Sequence, residues 1–119
     1  MCAVSNTPLS AGICFDVEKL AQEIERSCKT VVFALLHGSA KAGIVCAGSD
    51  IDVALYLSEK HTLEMISAVS AAVGRIVPAT ECDVGVLNGA EPVYRFEALR
   101  GRLLFSRDEE AYLSFFSLT

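Results

Sequence analysis

The sequence "HGSAKAGIVCAGSDIDVALYL", His37–Leu57, places two acidic residues at the start of an apolar stretch, directly after a loop rich in glycine, alanine and serine. Asp50 and Asp52 are separated by one residue, and the alternating residues that follow predict a β-strand. Burying an unpaired carboxylate is costly. We therefore expect that something holds these two side chains in place or that their position serves chemistry.

Composition limits the classes of function. The chain has 119 residues, which predicts one domain over residues 1–119. Apolar residues make up 52% of the chain, but no apolar run approaches the roughly 18 residues that a membrane span needs. We therefore expect no membrane association and, without the basic residues of a secretory signal, a cytoplasmic location. The net charge of −5 argues against broad nucleic-acid binding, and the surplus apolar surface favours a protein partner.

The cysteines do not form a metal-binding pattern. They occur singly, without a Cys-x-x-Cys pair, and the chain has 2 histidines. This usage predicts reduced thiols in the core rather than zinc ligands. The cysteines are Cys2, Cys14, Cys28, Cys46 and Cys82.

Helical and strand patterns alternate along the chain, which predicts an α/β fold with a β-sheet flanked by helices. Asp16 is a candidate N-cap of the first helix, Asn88-Gly89 is a turn signal after the third strand, and residues 38–49 are expected to turn, with room for a short helical piece. The predicted helices are 15–28, 62–76, 91–101 and 108–118, and the predicted strands are 30–38, 50–57, 79–88 and 102–106.

Three aspartates are candidates for metal binding and catalysis. Asp50 and Asp52 would project from one face of their strand, roughly 6.5 to 7 Å apart. Asp83 would join them if its strand pairs beside theirs. Three carboxylates suit two Mg²⁺ ions, which clamp the attacking and leaving oxygens of a phosphoryl or nucleotidyl transfer. The ordinary alternatives are a turn residue for Asp50 and a solvated edge position for Asp83, while Glu81 is a fourth acid or a rim residue.

The loop before the aspartates suits a phosphate group. Gly38 permits a close approach of the backbone, and Ser39 offers a hydroxyl beside backbone N–H groups. Lys41 would add a cation, although a solvated loop charge is its more ordinary role. His37 is explained more simply as a structural residue at the end of a strand than as a catalytic base.

Gly38-Ser39, ten further residues, Asp50-x-Asp52 and a later strand with Asp83 together resemble the motif of the polymerase-β-type nucleotidyltransferase superfamily, and within it the minimal nucleotidyltransferase (MNT) proteins. The resemblance implies their small mixed-sheet fold. It also implies that Gly38 and Ser39 bind the triphosphate of ATP and that Asp50 and Asp52 bind Mg²⁺. Asp83 would be the third acid at the metal site and would assist deprotonation of the attacking hydroxyl.

The C-terminal stretch "ALRGRLLFSRDEEAYLSFF", residues 98–116, is also similar to the usual end of MNT proteins. Members of this family are antitoxins of HEPN–MNT pairs, and some transfer AMP from ATP to a tyrosine of the HEPN-type RNase toxin. The resemblance therefore implies a hetero-oligomer with a HEPN-type toxin. An aminoglycoside-type nucleotidyltransferase is disfavoured, because no second domain is present to build a drug pocket.

Two classes of function remain. The three retained aspartates favour an active nucleotidyltransferase. The loop "GSAKAG" has Ala40 and Ala42 where many MNT proteins have basic residues, and this departure favours a catalytically weak or inactive binding module that neutralises its partner by direct contact. ATP binding that depends on Mg²⁺ would distinguish the two.

Overall fold

A four-stranded mixed sheet is the centre of the computed structural model, which describes residues 12–37, 43–46, 50–78 and 80–118. Its strand order is β5-β4-β2-β6, with β4 and β5 parallel and the other neighbours antiparallel. A separate antiparallel pair joins β1 to β3. The elements in chain order are β1 Gly12–Cys14, α1 Val17–Ser27, β2 Val31–His37, β3 Ile44–Cys46, β4 Ile51–Leu57, α2 Leu63–Ile76, β5 Cys82–Val86, α3 Pro92–Leu99, β6 Arg102–Ser106 and α4 Glu109–Leu118.

The α/β fold with a mixed sheet is therefore confirmed, and α1 and α2 begin at side-chain caps. The Asp16 carboxylate accepts hydrogen bonds from the backbone N–H groups of Glu18 and Lys19, which α1 leaves unpaired. The Thr62 hydroxyl does the same for Met65 in α2. Both caps define the first turn of a helix that then packs on the sheet.

The sheet is covered on both faces, as the continuous apolar run of β2 predicts. On one face Val53 and Leu55 of β4 pack with apolar side chains of α1 and α2. On the other face Ala54 packs in a smaller cluster with residues of α3 and α4. Because side chains alternate along β4, Asp52 lies on the face of α3 and α4.

The turn after β5 forms at the predicted Asn88-Gly89 pair. Gly89 has a φ of 71°, a left-handed conformation that glycine adopts without strain. The Asn88 side-chain amide donates to the carbonyl of Leu57 and its oxygen accepts from the N–H of the same residue. The turn is thereby attached to the end of β4.

The antiparallel pair of β1 and β3 corrects two expectations. Residues 44–46 form strand β3 rather than a turn or a helical piece, because they pair with β1, a partner about 30 residues away in sequence that local patterns do not indicate. Cys14 on β1 is disulfide-bonded, so the prediction of reduced thiols is wrong for this residue. It is confirmed for Cys28, which is free and buried, while Cys82 is free but only partly buried.

Among the described residues, no helix has the length and apolar character required to cross a membrane.

Candidate active site

Asp52 and Asp83 are direct partners across the parallel pair β4–β5. Neighbouring strands lie about 4.8 Å apart, and paired residues point to the same face of a sheet. The pairing that brings the Asp83 carboxylate beside that of Asp52 is therefore present. It depends on α2, which connects the end of β4 to the start of β5 and allows the two strands to run in parallel.

Asp50 lies immediately before β4, which begins at Ile51. It lines an open cleft of about 470 Å³ whose other lining residues are Ser70, Thr80, Glu81, Cys82 and Asp83. Glu81 is exposed at this cleft, a rim position. The cleft thus brings Asp50 and Asp83 to one surface.

The candidate acids are not buried, which answers the question raised by the sequence. Asp50 and Asp83 are exposed and Asp52 is partly buried, and the described residues include no buried charged side chain. The cost of burying an unpaired carboxylate therefore does not arise for Asp50 and Asp83 and is reduced for Asp52. The reason is that Asp52 is the second residue of β4 and Asp83 the second of β5, so both lie at an open end of the sheet.

No described residue forms a salt bridge with Asp50, Asp52 or Asp83. Within the described part of the chain, the salt bridges involve other acids. Burial, followed by the charges of Asp83, Asp52 and Asp50, raises the pKa of the Cys82 thiol to about 12. Burial and the charges of Asp83 and Asp52 likewise raise the pKa of the Tyr94 phenol. The site is thus a region of negative potential that favours a bound cation.

The donor chemistry fits Mg²⁺, which binds through one or two carboxylates with water and substrate phosphate completing its shell. Asp52 and Asp83 form such a pair. Among the described residues, no group of three or more His, Cys, Asp or Glu side chains is arranged to hold a metal ion. A metal at this position would therefore be held by the carboxylate pair together with water or substrate.

The other half of the predicted site is not described. Gly38, Ser39 and Lys41, expected to bind nucleotide, lie outside the described residues. His37, directly before them, is described, and it is the direct partner of Asp52 on the side of β4 opposite to Asp83. A polar row, defined as His37, Asp52 and Asp83, thus crosses three strands on one face.

Sequence reasoning missed Tyr94, the residue of α3 that borders this row. Its ring lies edge-on to that of His37, with 5.8 Å between the ring centroids. Its hydroxyl occupies the space above Gly85, two residues after Asp83 on the same face. A glycine inside a strand pattern signals a close approach by another group, so Gly85 was the available indication.

The sequence pattern of the family described as "Polymerase beta, Nucleotidyltransferase" matches residues 18–110. This range contains β2, β4 and β5, and with them the whole polar row. No curated protein sequence matches the chain.

Solved structures of low sequence identity share the fold. One is a mutant of the toxin–antitoxin MntA–HpeT, with 15% identity over 87% of this chain and 86% of that chain, at a TM-score of 0.69. Another is a toxin–antitoxin with AMP-PNP, with 17% identity over 87% and 86% and a TM-score of 0.68. A third is a tri-AMPylated HEPN toxin of Shewanella oneidensis in complex with MNT antitoxin, with 15% identity over 86% and 82% and a TM-score of 0.62.

Proposed function

Because this chain belongs to the polymerase beta nucleotidyltransferase family, we propose that it transfers AMP from ATP to a tyrosine hydroxyl of a partner protein in a Mg²⁺-dependent reaction. The observation that carries the proposal is the direct pairing of Asp52 with Asp83 on neighbouring parallel strands. These two carboxylates form no salt bridge with any described residue, so they are an oxygen-donor site suited to a bound cation.

Asp50, Asp52 and Asp83 are the proposed metal ligands. When bound, Mg²⁺ would neutralise charge on the phosphate oxygens of ATP. Gly38, Ser39 and Lys41 are proposed to bind the triphosphate. A single ion on the Asp52–Asp83 pair satisfies the donor set that the described residues offer, and a second ion would require Asp50 and the nucleotide to complete its shell.

Asp83 is the proposed acceptor of the proton. It is exposed on β5, an edge strand, so a hydroxyl group from another molecule can reach it. In the transfer, the tyrosyl oxygen bonds to the α-phosphorus of ATP and its proton passes to the Asp83 carboxylate. The bond between the α-phosphorus and the bridging oxygen breaks, and pyrophosphate leaves.

The proposed acceptor is a HEPN-type toxin. Support comes from the solved relatives, which include a tri-AMPylated HEPN toxin with MNT antitoxin and a toxin–antitoxin with AMP-PNP. In the MntA–HpeT mutant, two aspartates separated by one residue are replaced with glutamate, the same spacing as Asp50 and Asp52. We therefore propose that this chain is the antitoxin of such a pair.

Exposed apolar side chains on α3 and α4 favour a second candidate function, neutralisation by contact without catalysis. Val93 and Phe96 on α3 are 73% and 56% exposed, and Leu113 and Phe116 on α4 are 58% and 53% exposed. An apolar cleft of about 150 Å³ lies between Phe96 and Phe116. A surface of this kind is suited to a protein partner in either function.

The test is co-incubation with the HEPN-type partner, ATP and Mg²⁺, followed by mass spectrometry of the partner. We expect a mass increase of one or more AMP groups on a tyrosine with the parent protein and none with the double variant Asp50→Ala, Asp52→Ala. Glu59→Ala, which removes an exposed acid after β4, is the matched control and should behave like the parent. Neutralisation by the double variant without any adduct would support the binding module instead.

A further inference from the structure

His37 is part of the polar row, yet no role in transfer is assigned to it above. It is the last residue of β2 and the direct partner of Asp52 in the antiparallel register. Its side chain therefore projects from the face that carries Asp52 and Asp83, about one strand spacing of 4.8 Å from Asp52. A phosphate group bound near Asp52 would lie within reach of the imidazole.

The position of the ring is fixed from two sides. Tyr94 contacts it edge-on, with ring planes inclined by 82°. Gly101, between α3 and β6, lies against its base, since a Cβ atom at Gly101 would be 2.8 Å from the Cβ of His37. Tyr94 is held in turn above Gly85. The ring is thus oriented by packing.

Within the described part of the chain, no hydrogen bond or salt bridge engages the imidazole. A histidine held only by its ring contacts has an N–H donor for a ligand in either neutral tautomer. For packing against Tyr94 alone, phenylalanine would serve equally well at position 37.

The electrostatics of the site require such donors. A triphosphate beside Asp50, Asp52 and Asp83 meets carboxylates that have no cationic partner among the described residues. The preceding loop supplies a single basic residue, Lys41, with alanine at positions 40 and 42. His37 is the N–H donor of the polar row.

We propose that His37 contacts the nucleotide substrate, donating its imidazole N–H to a phosphate oxygen, and that Tyr94 is the positioning residue that holds the ring at this point. The inference rests on the proposed function, because it assumes that ATP binds at the polar row. It extends that function by assigning part of phosphate recognition to the end of β2.

The test compares ATP affinity, measured by titration calorimetry in the presence of Mg²⁺, among three variants. His37→Phe keeps the ring contact with Tyr94 but removes the donor, and we expect ATP affinity to fall at least about tenfold, as for the loss of a hydrogen bond to a charged group. His37→Gln restores an N–H donor and should recover most of the affinity. His61→Phe changes the other histidine, which is exposed before α2, and should match the parent.

Transfer kinetics give a second readout. Removing a ground-state phosphate contact should raise the KM for ATP more than it lowers kcat. If the parent binds MgATP and His37→Phe binds it equally well, this inference is overturned while the proposed function stands. If the parent binds no MgATP, both are overturned.

Thermal melting without ligand would show whether His37→Phe is folded. If it is not, a second variant tests the proposal. Tyr94→Leu leaves the histidine in place but removes its edge-on aromatic contact. ATP affinity should then fall severalfold, while unchanged affinity in this folded variant would contradict the assignment.

Discussion

The Tyr94 side chain occupies the space that the missing side chain of Gly85 leaves above β5, and its Cζ atom lies 2.8 Å from the position that a Cβ atom would take there. Gly85 is the direct partner of Ala54 on β4, so two small residues lie side by side immediately behind Asp52 and Asp83. Tyr94 fills the hollow that they form. It separates the polar row from the apolar cluster beneath α3 and α4.

Gly85→Ala is expected to destabilise the fold, because the added methyl group overlaps the Tyr94 ring. Overpacking of this kind costs about 1–3 kcal/mol of unfolding free energy. Urea denaturation would measure the loss. The same substitution in a Tyr94→Ala background should cost much less, since the overlap is gone. Equal costs in both backgrounds would show that the two residues are not in contact.

Asp52→Asn should abolish AMP transfer and leave the fold intact. Without metal the variant should be more stable by about 0.2–1 kcal/mol, because like charges on directly paired residues repel. Mg²⁺ should raise the melting temperature of the parent and do much less for the variant. Glu59→Gln removes an exposed charge elsewhere and serves as control. Equal Mg²⁺ shifts in parent and Asp52→Asn would assign the metal to another position.

Arg107→Ala should destabilise the protein because this side chain joins β6 to the start of β2. Its guanidinium donates to the carbonyls of Cys28, Lys29 and Val31, at 3.1, 2.7 and 2.9 Å. Hydrogen bonds from a charged group contribute about 1.5–3 kcal/mol each, and the loss here should fall near the upper end for a single bond because water replaces part of the set.

Arg107→Lys tests the geometry of that contact. Lysine keeps the charge but not the planar fork, so it should recover only part of the stability. Arg102→Ala, which changes the exposed first residue of β6, is the control. A fully stable Arg107→Ala variant would contradict the role inferred for these hydrogen bonds.

Glu23 predicts a pH dependence of stability. Hydrogen bonds from Arg75 of α2 and Arg26 of α1 hold the pKa of its carboxyl below the ordinary 4.5. The unfolded chain therefore takes up this proton first as pH falls. The stabilisation is complete above pH 4.5 and is lost as pH falls below that value through the pKa of the folded state.

Glu23→Gln is the corresponding test by urea denaturation at a series of pH values. The stability difference between parent and variant should be present at pH 6 and shrink towards pH 3, because the pKa of this carboxyl lies below 4.5 in the folded protein. Glu59→Gln, in an exposed loop, should show no such trend. A difference that stays constant over this range would show that the ion pair between α1 and α2 does not act through ionisation.

Local signals determined much of the fold. Asp16 and Thr62 cap helices because their side-chain oxygens satisfy N–H groups that a helix leaves unpaired, and this depends only on neighbouring residues. The apolar runs of β2 and β4 predict buried strands, and this prediction also depends only on neighbouring residues. The spacing of Asp50 and Asp52 likewise predicts a shared face without knowledge of the fold.

Contacts between distant segments required the tertiary structure. The sequence left open whether Asp83 pairs beside Asp52, and the parallel register of β4 and β5 decided it. The exposure of these acids depends on the residue at which each strand begins. Pairing with the neighbouring strand determines that residue, and composition alone does not. Tyr94 of α3 packs above Gly85 of β5 because the ring and the glycine are complementary in shape. Sequence periodicity does not predict a contact of this kind between residues of different elements.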